Sequence, residues 1–245
     1  MRIIVENNYD EMSRTAAGIV ADEVRRKPDC VLGLATGSTP LGMYRELIAM
    51  YQREELDFSG IKTFNLDEYF TLPPDHPQSY HYFMFENFFN HINVPKEQIH
   101  LPQGTATDIQ KACQEYEKAI AQAGGIDLLV LGIGENGHIG FNEPAERLQV
   151  GTHLADLTEE TVRVNSRFFP SLPKVPRQAV TMGLGTILKA RRILLLANGL
   201  RKAPAIKETV SGFITTKCPA SLLQVHPDMT LILDREAASL LKNQI

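Results

Sequence analysis

A histidine that lies between glycines is the side chain of this sequence most suited to proton transfer. It is His138 in the segment GIGENGHIGFNEP, where Gly137 and Gly140 let the backbone approach a ligand closely and Glu143 follows soon after. A lone histidine is usually a hydrogen-bonded structural residue, but this glycine-rich setting after an apolar run favours an acid or base. The spacing GxGxxG is also present, yet Pro144 and the glycines break the helix that a dinucleotide-binding motif requires, which argues against that interpretation.

Two adjacent carboxylates, Asp67 and Glu68, follow the apolar run KTFNL. Burial at that position raises the pKa of a carboxyl toward the range in which it serves as a general base. The alternative is a solvated acidic turn ahead of a proline-rich loop, and the two residues taken alone favour that turn.

A third loop suits the binding of an anion, because hydroxyls and free N–H groups at the start of a helix attract phosphate. It lies between the run VLGLA and a helical pattern, and its spacing is not that of a nucleotide P-loop. Every crossover of this kind also needs a cap and a glycine, so the pattern alone does not decide for phosphate. Lys202, which begins a helix after RILLLANG, is the cation we expect beside it. The loop residues are Thr36, Gly37, Ser38 and Thr39.

Length and composition indicate a folded chain and leave a small anionic ligand open. The 245 residues are 43% hydrophobic and carry a net charge of −4, which does not favour a nucleic-acid-binding surface. The three cysteines are far apart, which suggests neither a zinc site nor a disulfide framework. Since no apolar run approaches the roughly 20 residues of a membrane span and the first residues lack a signal-peptide pattern, we expect a cytoplasmic protein without membrane contact.

Short apolar runs alternate with helical patterns along the whole chain. This alternation predicts a three-layer, doubly wound α/β fold with a mostly parallel, Rossmann-like sheet, in a single domain over residues 1–245. In such folds ligands bind at the carboxyl ends of the strands, where the three loops lie. The longest stretches expected to be irregular are 66–78 and 135–178. Strands are expected at Ile3–Val5, Cys30–Leu34, Ile61–Asn65, Ile126–Gly132, Ala179–Met182, Ile193–Ala197 and Met229–Leu233, and helices near 8–26, 40–55, 79–91, 108–123, 200–210 and 235–243.

Four motifs, LATGSTP, FNLDEYF, GIGENGHIGFNEP and NSRFF, resemble those of the glucosamine-6-phosphate deaminases in order and spacing. The resemblance covers about residues 1–240. It implies a hydrolase of amino sugar catabolism, including N-acetylglucosamine utilisation, that converts D-glucosamine 6-phosphate and water to D-fructose 6-phosphate and ammonia. It also implies that the reaction needs neither a metal nor an organic cofactor.

The same resemblance implies a role for each matching residue. Asp67 corresponds to the base that moves a proton from C2 to C1 of the sugar. His138, supported by Glu143, corresponds to the acid/base that opens the pyranose ring. The loop 36–39 corresponds to the phosphate site, together with Arg167 and Lys202.

One position departs from the family pattern, and one segment is expected to move. Many members carry Asp where this chain has Asn136, so we expect the histidine of this chain to lack the support of a second carboxylate. An enolamine intermediate must be kept from water, and the segment of about 157–178, which carries Arg167, is the candidate lid.

Two other functions remain open on the residues. A 6-phosphogluconolactonase has a similar glycine-rich loop, but Asp67-Glu68-Tyr69 and the FNEP continuation favour the deaminase. A sugar-phosphate-sensing regulator would bind the same ligand without turnover. The sequence leaves both a monomer and a homo-oligomer open.

Overall fold

Two β-sheets make up the fold in a computed structural model that describes residues 1–166, 169 and 175–241. The strands are β1 (Arg2–Glu6), β2 (Val31–Leu34), β3 (Lys62–Asn65), β4 (Asp67–Tyr69), β5 (Ile99–His100), β6 (Leu128–Leu131), β7 (His153–Asp156), β8 (Gln178–Thr181), β9 (Arg192–Ala197) and β10 (Met229–Asp234). The helices are α1 (Tyr9–Arg26), α2 (Leu41–Gln52), α3 (Tyr80–Asn87), α4 (Ile109–Gln122), α5 (Glu159–Asn165), α6 (Leu184–Leu188) and α7 (Ala203–Thr209).

The larger sheet is parallel throughout and has the strand order β1-β10-β9-β6-β2-β3-β5. From β2 the chain proceeds outward to β3 and β5, then returns to β6 on the other side of β2. The strand order therefore reverses between β2 and β6, and a reversal of this kind opens a crevice at the carboxyl ends of the strands. The predicted doubly wound, mostly parallel fold is confirmed.

Apolar residues cover both faces of this sheet, as the continuous apolar runs predict. In β6, Leu129 and Leu131 belong to the cluster that contains residues of α4 and α7. Leu128 and Val130 point to the opposite face and belong to the cluster formed with α1, α2 and α3. Helices on both faces thus bury the sheet and hold its strand ends in fixed positions.

A smaller antiparallel sheet, in the order β4-β8-β7, stands beside the carboxyl edge of the larger one. In it Asp67 pairs with Thr181 and Tyr69 pairs with Ala179. The expectation that 66–78 and 135–178 are irregular was wrong in part, because β4, β7 and α5 lie within them. The sequences DEY and HLAD carry no strand periodicity, and they become strands because β8 pairs with both of them.

The prediction of a helix at 235–243 was also wrong for residues 235–241. Residues 242 and 243 lie outside the described residues. Residues 235–240 form turns. The amide of Ala238 donates to the carbonyl of Asp234 as in an α-helix, but the next bond joins Ser239 to Glu236, only three residues apart. The α-helical bonding therefore does not continue, although Ala237 and Leu241 are both buried.

A cluster of charges lies at the amino ends of β2, β6 and β9, opposite the crevice, and we call it the amino-edge cluster. Its buried members are Glu23 and Asp127. Asp127 accepts hydrogen bonds from the Val31 amide over 2.8 Å, from Lys27 over 2.9 Å, and from Arg191. Glu23 accepts bonds from Arg26 and Arg192. The cluster consists of Glu23, Arg26, Lys27, Asp127, Arg191 and Arg192.

Across residues 1–166 and 175–241, none of the helices combines the length and the apolar character needed to cross a bilayer.

Candidate active site

A cavity of about 280 Å³ opens where the loops after β2, β3, β6 and β9 meet. It lies at the reversal of strand order, where the fold places ligand sites. Glu143 lies behind the wall and is joined to it by hydrogen bonds, whereas Arg167 lies outside the described residues. The predicted site residues that line the cavity are Thr36, Gly37, Ser38, Thr39, Asp67, Asn136, His138 and Lys202.

The carboxyl of Asp67 is buried at the start of β4, with 7% of the residue exposed. Burial, reinforced by the negative charge of Glu68, raises the pKa of Asp67 to about 8. A β-carbon added at Gly140 would lie 3.7 Å from Oδ2 of Asp67, so this carboxyl faces the glycine-rich loop that carries His138. A carboxyl with such a pKa takes up a proton readily near neutral pH, as a general base must.

The neighbouring carboxylate, Glu68, has a different position and a structural task. Its Oε1 accepts the backbone amides of Tyr69 and Tyr80, and its Oε2 accepts the amide of His81, each over 2.8 Å. Glu68 therefore caps the first turn of α3 from a separate strand. Both acids are buried, so the solvated acidic turn that the two residues favoured in isolation is wrong.

The imidazole of His138 is held by Asn136 and Glu143 on its Nδ1 side. Nδ1 lies 2.8 Å from Oδ1 of Asn136 and 3.3 Å from Oε2 of Glu143. The ring packs so closely on the loop that a β-carbon at Gly134 would lie 2.3 Å from it, which only glycine avoids. Since an amide oxygen only accepts, the proton of the neutral imidazole lies on Nδ1 and Nε2 carries the lone pair.

Glu143 is an ionised carboxylate with three partners, and 9% of the residue is exposed. Burial alone would raise its pKa, but hydrogen bonds with His138, Thr161 and Asn136 and the charge of the imidazole lower the pKa to about 2. Thr161 lies on α5 and donates its hydroxyl to Oε1. Sequence reasoning missed Thr161, because nothing in the local pattern connects it with Glu143.

The loop after β2 and the loop after β9 form one end of the cavity. Gly37 has φ +97°, a backbone conformation that favours glycine and turns the chain sharply. The hydroxyl of Thr39 donates to Oδ1 of Asn198 over 2.8 Å, which ties the two loops together. Lys202 ends a single 3₁₀ turn that starts directly after Gly199. An anion at this end meets hydroxyls, amides and a cation, which are the groups that bind phosphate.

Aromatic side chains form one wall of the cavity, a feature that sequence reasoning also missed. Tyr80 and Phe141 stack with ring centroids 6.0 Å apart, and Tyr69 lies 4.8 Å from Tyr80. Phe169, from the expected lid, meets Tyr69 edge-on at 5.8 Å. The wall reduces the contact of the polar groups with water, which strengthens their electrostatic interactions.

The chain is similar to known proteins over nearly its whole length. A family model described as glucosamine-6-phosphate isomerases/6-phosphogluconolactonase matches residues 6–232. A glucosamine-6-phosphate deaminase from Halothermothrix orenii is 64% identical over 241 residues, which covers 98% of this chain and 100% of that protein. One from Clostridium perfringens is 55% identical over 242 residues, which covers 99% and 100%.

Solved structures agree with the sequence matches. A structure described as a monomeric glucosamine-6-phosphate deaminase superposes with a TM-score of 0.96 at 48% identity, over 98% of this chain and 100% of that chain. A 6-phosphogluconolactonase from Trypanosoma brucei gives a TM-score of 0.79 at 19% identity, over 98% of both chains. The second match shows the shared fold alone.

Proposed function

Because this chain belongs to the family of glucosamine-6-phosphate isomerases and 6-phosphogluconolactonases, we propose that it acts as a glucosamine-6-phosphate deaminase. It converts D-glucosamine 6-phosphate and water to D-fructose 6-phosphate and ammonia. The relatives that bear this name are 64% and 60% identical to the chain over nearly its whole length. The comparisons confirm the expected family and activity.

One observation carries the residue assignment: a buried carboxyl with a raised pKa and a carboxylate-supported imidazole line the same cavity as an anion-binding loop. An aldose needs two separate proton-transfer groups, one to open its ring and one to isomerise it. Asp67 and His138 provide two such groups, from β4 and from the loop after β6 respectively. The residues of loop 36–39 and Lys202, which line the same cavity, hold the phosphate.

His138 opens the pyranose ring. Its unprotonated Nε2 takes the proton of the anomeric hydroxyl, and the resulting imidazolium returns a proton to the ring oxygen as the C1–O5 bond breaks. Glu143 and Asn136 stabilise the cation and fix the ring of His138 through Nδ1. A positioned acid/base of this kind contributes roughly 10²- to 10⁴-fold to the rate.

Asp67 then carries out the isomerisation. Its carboxylate removes the proton from C2 of the open aldehyde while the substrate's ammonium group gives a proton to O1, which leaves an enolamine across C1 and C2. The same carboxyl returns the proton to C1, which gives an iminium at C2. Water adds to C2 and ammonia leaves, so that the product is the 2-ketose, D-fructose 6-phosphate.

The defining experiment is an assay of the purified protein with D-glucosamine 6-phosphate, in which ammonia and D-fructose 6-phosphate are both measured. We expect equal amounts of the two products. In parallel, 6-phosphogluconolactone is offered, and its rapid hydrolysis without ammonia release from the aminosugar would favour the lactonase. Binding of the aminosugar phosphate without any turnover would favour a sensor.

The two roles are separated by an isotope experiment with substrate deuterated at C2. In His138→Gln ring opening becomes the slowest step, so we expect a lower kcat and a primary isotope effect that falls toward one. An isotope effect on kcat that stays at the wild-type value or increases would place His138 outside ring opening. The control is the reverse reaction of ammonia with open-chain fructose 6-phosphate deuterated at C1, the carbon that loses a proton in that direction.

The segment 157–178 serves as a lid in this proposal. Its described part supports the idea, since Thr161 binds Glu143 and Phe169 packs against Tyr69 at the cavity. Arg167, the further phosphate ligand, lies outside the described residues. Hydrogen exchange of the segment should slow when the substrate binds, and unchanged exchange would refute the lid.

The proposal also includes the number of domains, the oligomeric state and the cellular location of the protein. Residues 1–245 form a single domain, supported by core clusters that run along both faces of one sheet. The protein works as a monomer in the cytoplasm, which is supported by a structural relative described as monomeric and by the phosphorylated substrate. One cooperative unfolding transition and a molar mass near 27.4 kDa in light scattering are the expected results.

A further inference from the structure

Two tyrosine hydroxyls hold the loop after β2 from outside the cavity. Tyr44 donates to the carbonyl of Ala35 over 2.6 Å, and Tyr9 donates to the carbonyl of Ser38 over 2.9 Å. We propose that Tyr9 and Tyr44 are positioning residues that keep loop 36–39 in the shape that binds phosphate. The inference rests on the proposed function, because it takes this loop as the phosphate site.

The direction of the loop carbonyls decides whether the loop can bind an anion. A phosphate oxygen accepts hydrogen bonds, so N–H and O–H groups must face it and carbonyl oxygens must face away. Ala35 and Ser38 both line the cavity, and each has one carbonyl that needs a partner elsewhere. The two phenols provide those partners, one at each end of the loop.

Tyr9 makes a second bond that links the loop to the start of α2. Its oxygen accepts the amide of Gly42 over 2.8 Å. Pro40, which precedes α2, makes no side-chain capping bond, so the phenol of Tyr9 takes the place of a cap. A β-carbon at Gly42 would lie 2.2 Å from Oγ of Ser13, so α1 and α2 touch where Tyr9 reaches across.

Tyr44 acts from within the core. The residue is fully buried, and its ring stacks on Phe88 at 4.7 Å. Burial raises the pKa of Tyr44 well above the ordinary value, so its hydroxyl keeps the proton that it donates to Ala35. The hydroxyl of Tyr44 therefore remains a hydrogen-bond donor near neutral pH.

The test uses Tyr9→Phe and Tyr44→Phe, which remove the hydroxyls and keep the rings. Three quantities are measured: kcat, KM for D-glucosamine 6-phosphate, and the inhibition constant of inorganic phosphate. We expect KM and the phosphate inhibition constant to rise about fivefold to tenfold in each variant, while kcat changes less than twofold. Asp67 and His138 keep their positions, which is why kcat is spared.

Tyr51→Phe is the matched control, because Tyr51 lies two turns further along α2 and packs against Phe58 at 6.2 Å. It should leave both constants unchanged. A lower Tm in Tyr9→Phe and Tyr44→Phe with wild-type KM and phosphate inhibition would overturn the inference, and so would a fall in kcat alone. If the wild-type protein releases no ammonia, the proposed function fails, and this outcome does not by itself overturn the inference about the two tyrosines. Phosphate binding is then measured by direct calorimetric titration of inorganic phosphate into the wild type, Tyr9→Phe, Tyr44→Phe and Tyr51→Phe.

Discussion

The side-chain amide of Asn136 donates to the carboxylate of Glu143 across 2.8 Å, and this bond fixes the direction in which the amide faces. A carboxylate only accepts, so the amide must turn its nitrogen to Glu143 and its oxygen to His138. The oxygen then holds the Nδ1 proton of the imidazole over 2.8 Å. The charge of Glu143 thus sets the tautomer of His138 through a neutral residue.

Asn136→Asp replaces this neutral link with a second carboxylate beside the imidazole. An added negative charge at this distance stabilises the imidazolium, so the acidic limb of the kcat/KM profile, to which Asp67 also contributes, should become steeper and move upward. Steady-state profiles of both proteins between pH 5 and pH 9 measure the shift. Asn136→Ala loses the hydrogen bonds of the side chain to Glu143 and His138 but adds no charge, so it should not reproduce the shift. An unshifted limb in Asn136→Asp would contradict this account.

Glu143→Gln should destabilise the protein in a pH-dependent way. The pKa of Glu143 in the folded protein is about 2, below the value of about 4.3 expected in the unfolded chain. The ionised carboxylate therefore stabilises the fold above pH 4.3, and this contribution is lost as the pH falls toward 2. Urea unfolding should show a loss of about 1–3 kcal/mol at pH 7 that shrinks at pH 3. An equal loss at both pH values would be inconsistent with an ionised Glu143.

Asp67→Asn should lower the activity of the protein and raise its stability. The pKa of Asp67 is raised to about 8 in the folded protein, so its contribution to stability declines as the pH rises from about 4 to 8. The variant should unfold at higher urea concentrations than wild type at pH 8, with a smaller difference at pH 5. Its kcat should fall roughly 10²- to 10⁴-fold, while inhibition by inorganic phosphate stays unchanged.

The wild-type profile provides an independent check on Asp67. Only the ionised carboxyl accepts the C2 proton, so kcat/KM should rise with pH through a midpoint near pH 8 and level off above it. A plateau that already begins near pH 5 would show that Asp67 has an ordinary carboxyl pKa and that burial does not raise it.

Asp127→Asn should weaken the amino-edge cluster without affecting catalysis. Its carboxylate accepts hydrogen bonds from the Val31 amide, Lys27 and Arg191. The side chains of Lys27 and Arg191 are partly exposed, so water can hydrate them when the carboxylate is removed. We expect a loss of about 1–3 kcal/mol in the free energy of unfolding and a kcat within twofold of wild type at 25 °C. A large fall in kcat at a temperature where the variant is folded would show that the two edges of the sheet are coupled.

The central sheet could be predicted because its strands are continuous apolar runs. Leu128–Leu131 is buried on both faces, and such a run favours a covered parallel strand. The strand at Asp67–Tyr69 could not be predicted, since its three residues adopt that conformation only through pairing with β8. At 235–241 the burial of Ala237 and Leu241 has helical spacing, yet the backbone bonds do not continue as a helix.

In the candidate site too, some residues could be predicted from the sequence and others could not. Asp67 and His138 were predicted to lie in the site because each follows a strand of the larger sheet, and both line the cavity. Thr161 and Tyr9 were missed because their partners, Glu143 and Ser38, lie 18 and 29 residues away in the chain. No local pattern predicts contacts over such distances, which depend on the packing of α5 and α1.

The separation of the amino-edge cluster from the cavity has a consequence for how this enzyme can adapt. The four residues of β6 span about 13 Å between the ion pairs at one end and the glycine-rich loop at the other. Charges at the amino edge can therefore be exchanged to change stability without moving the residues that line the cavity.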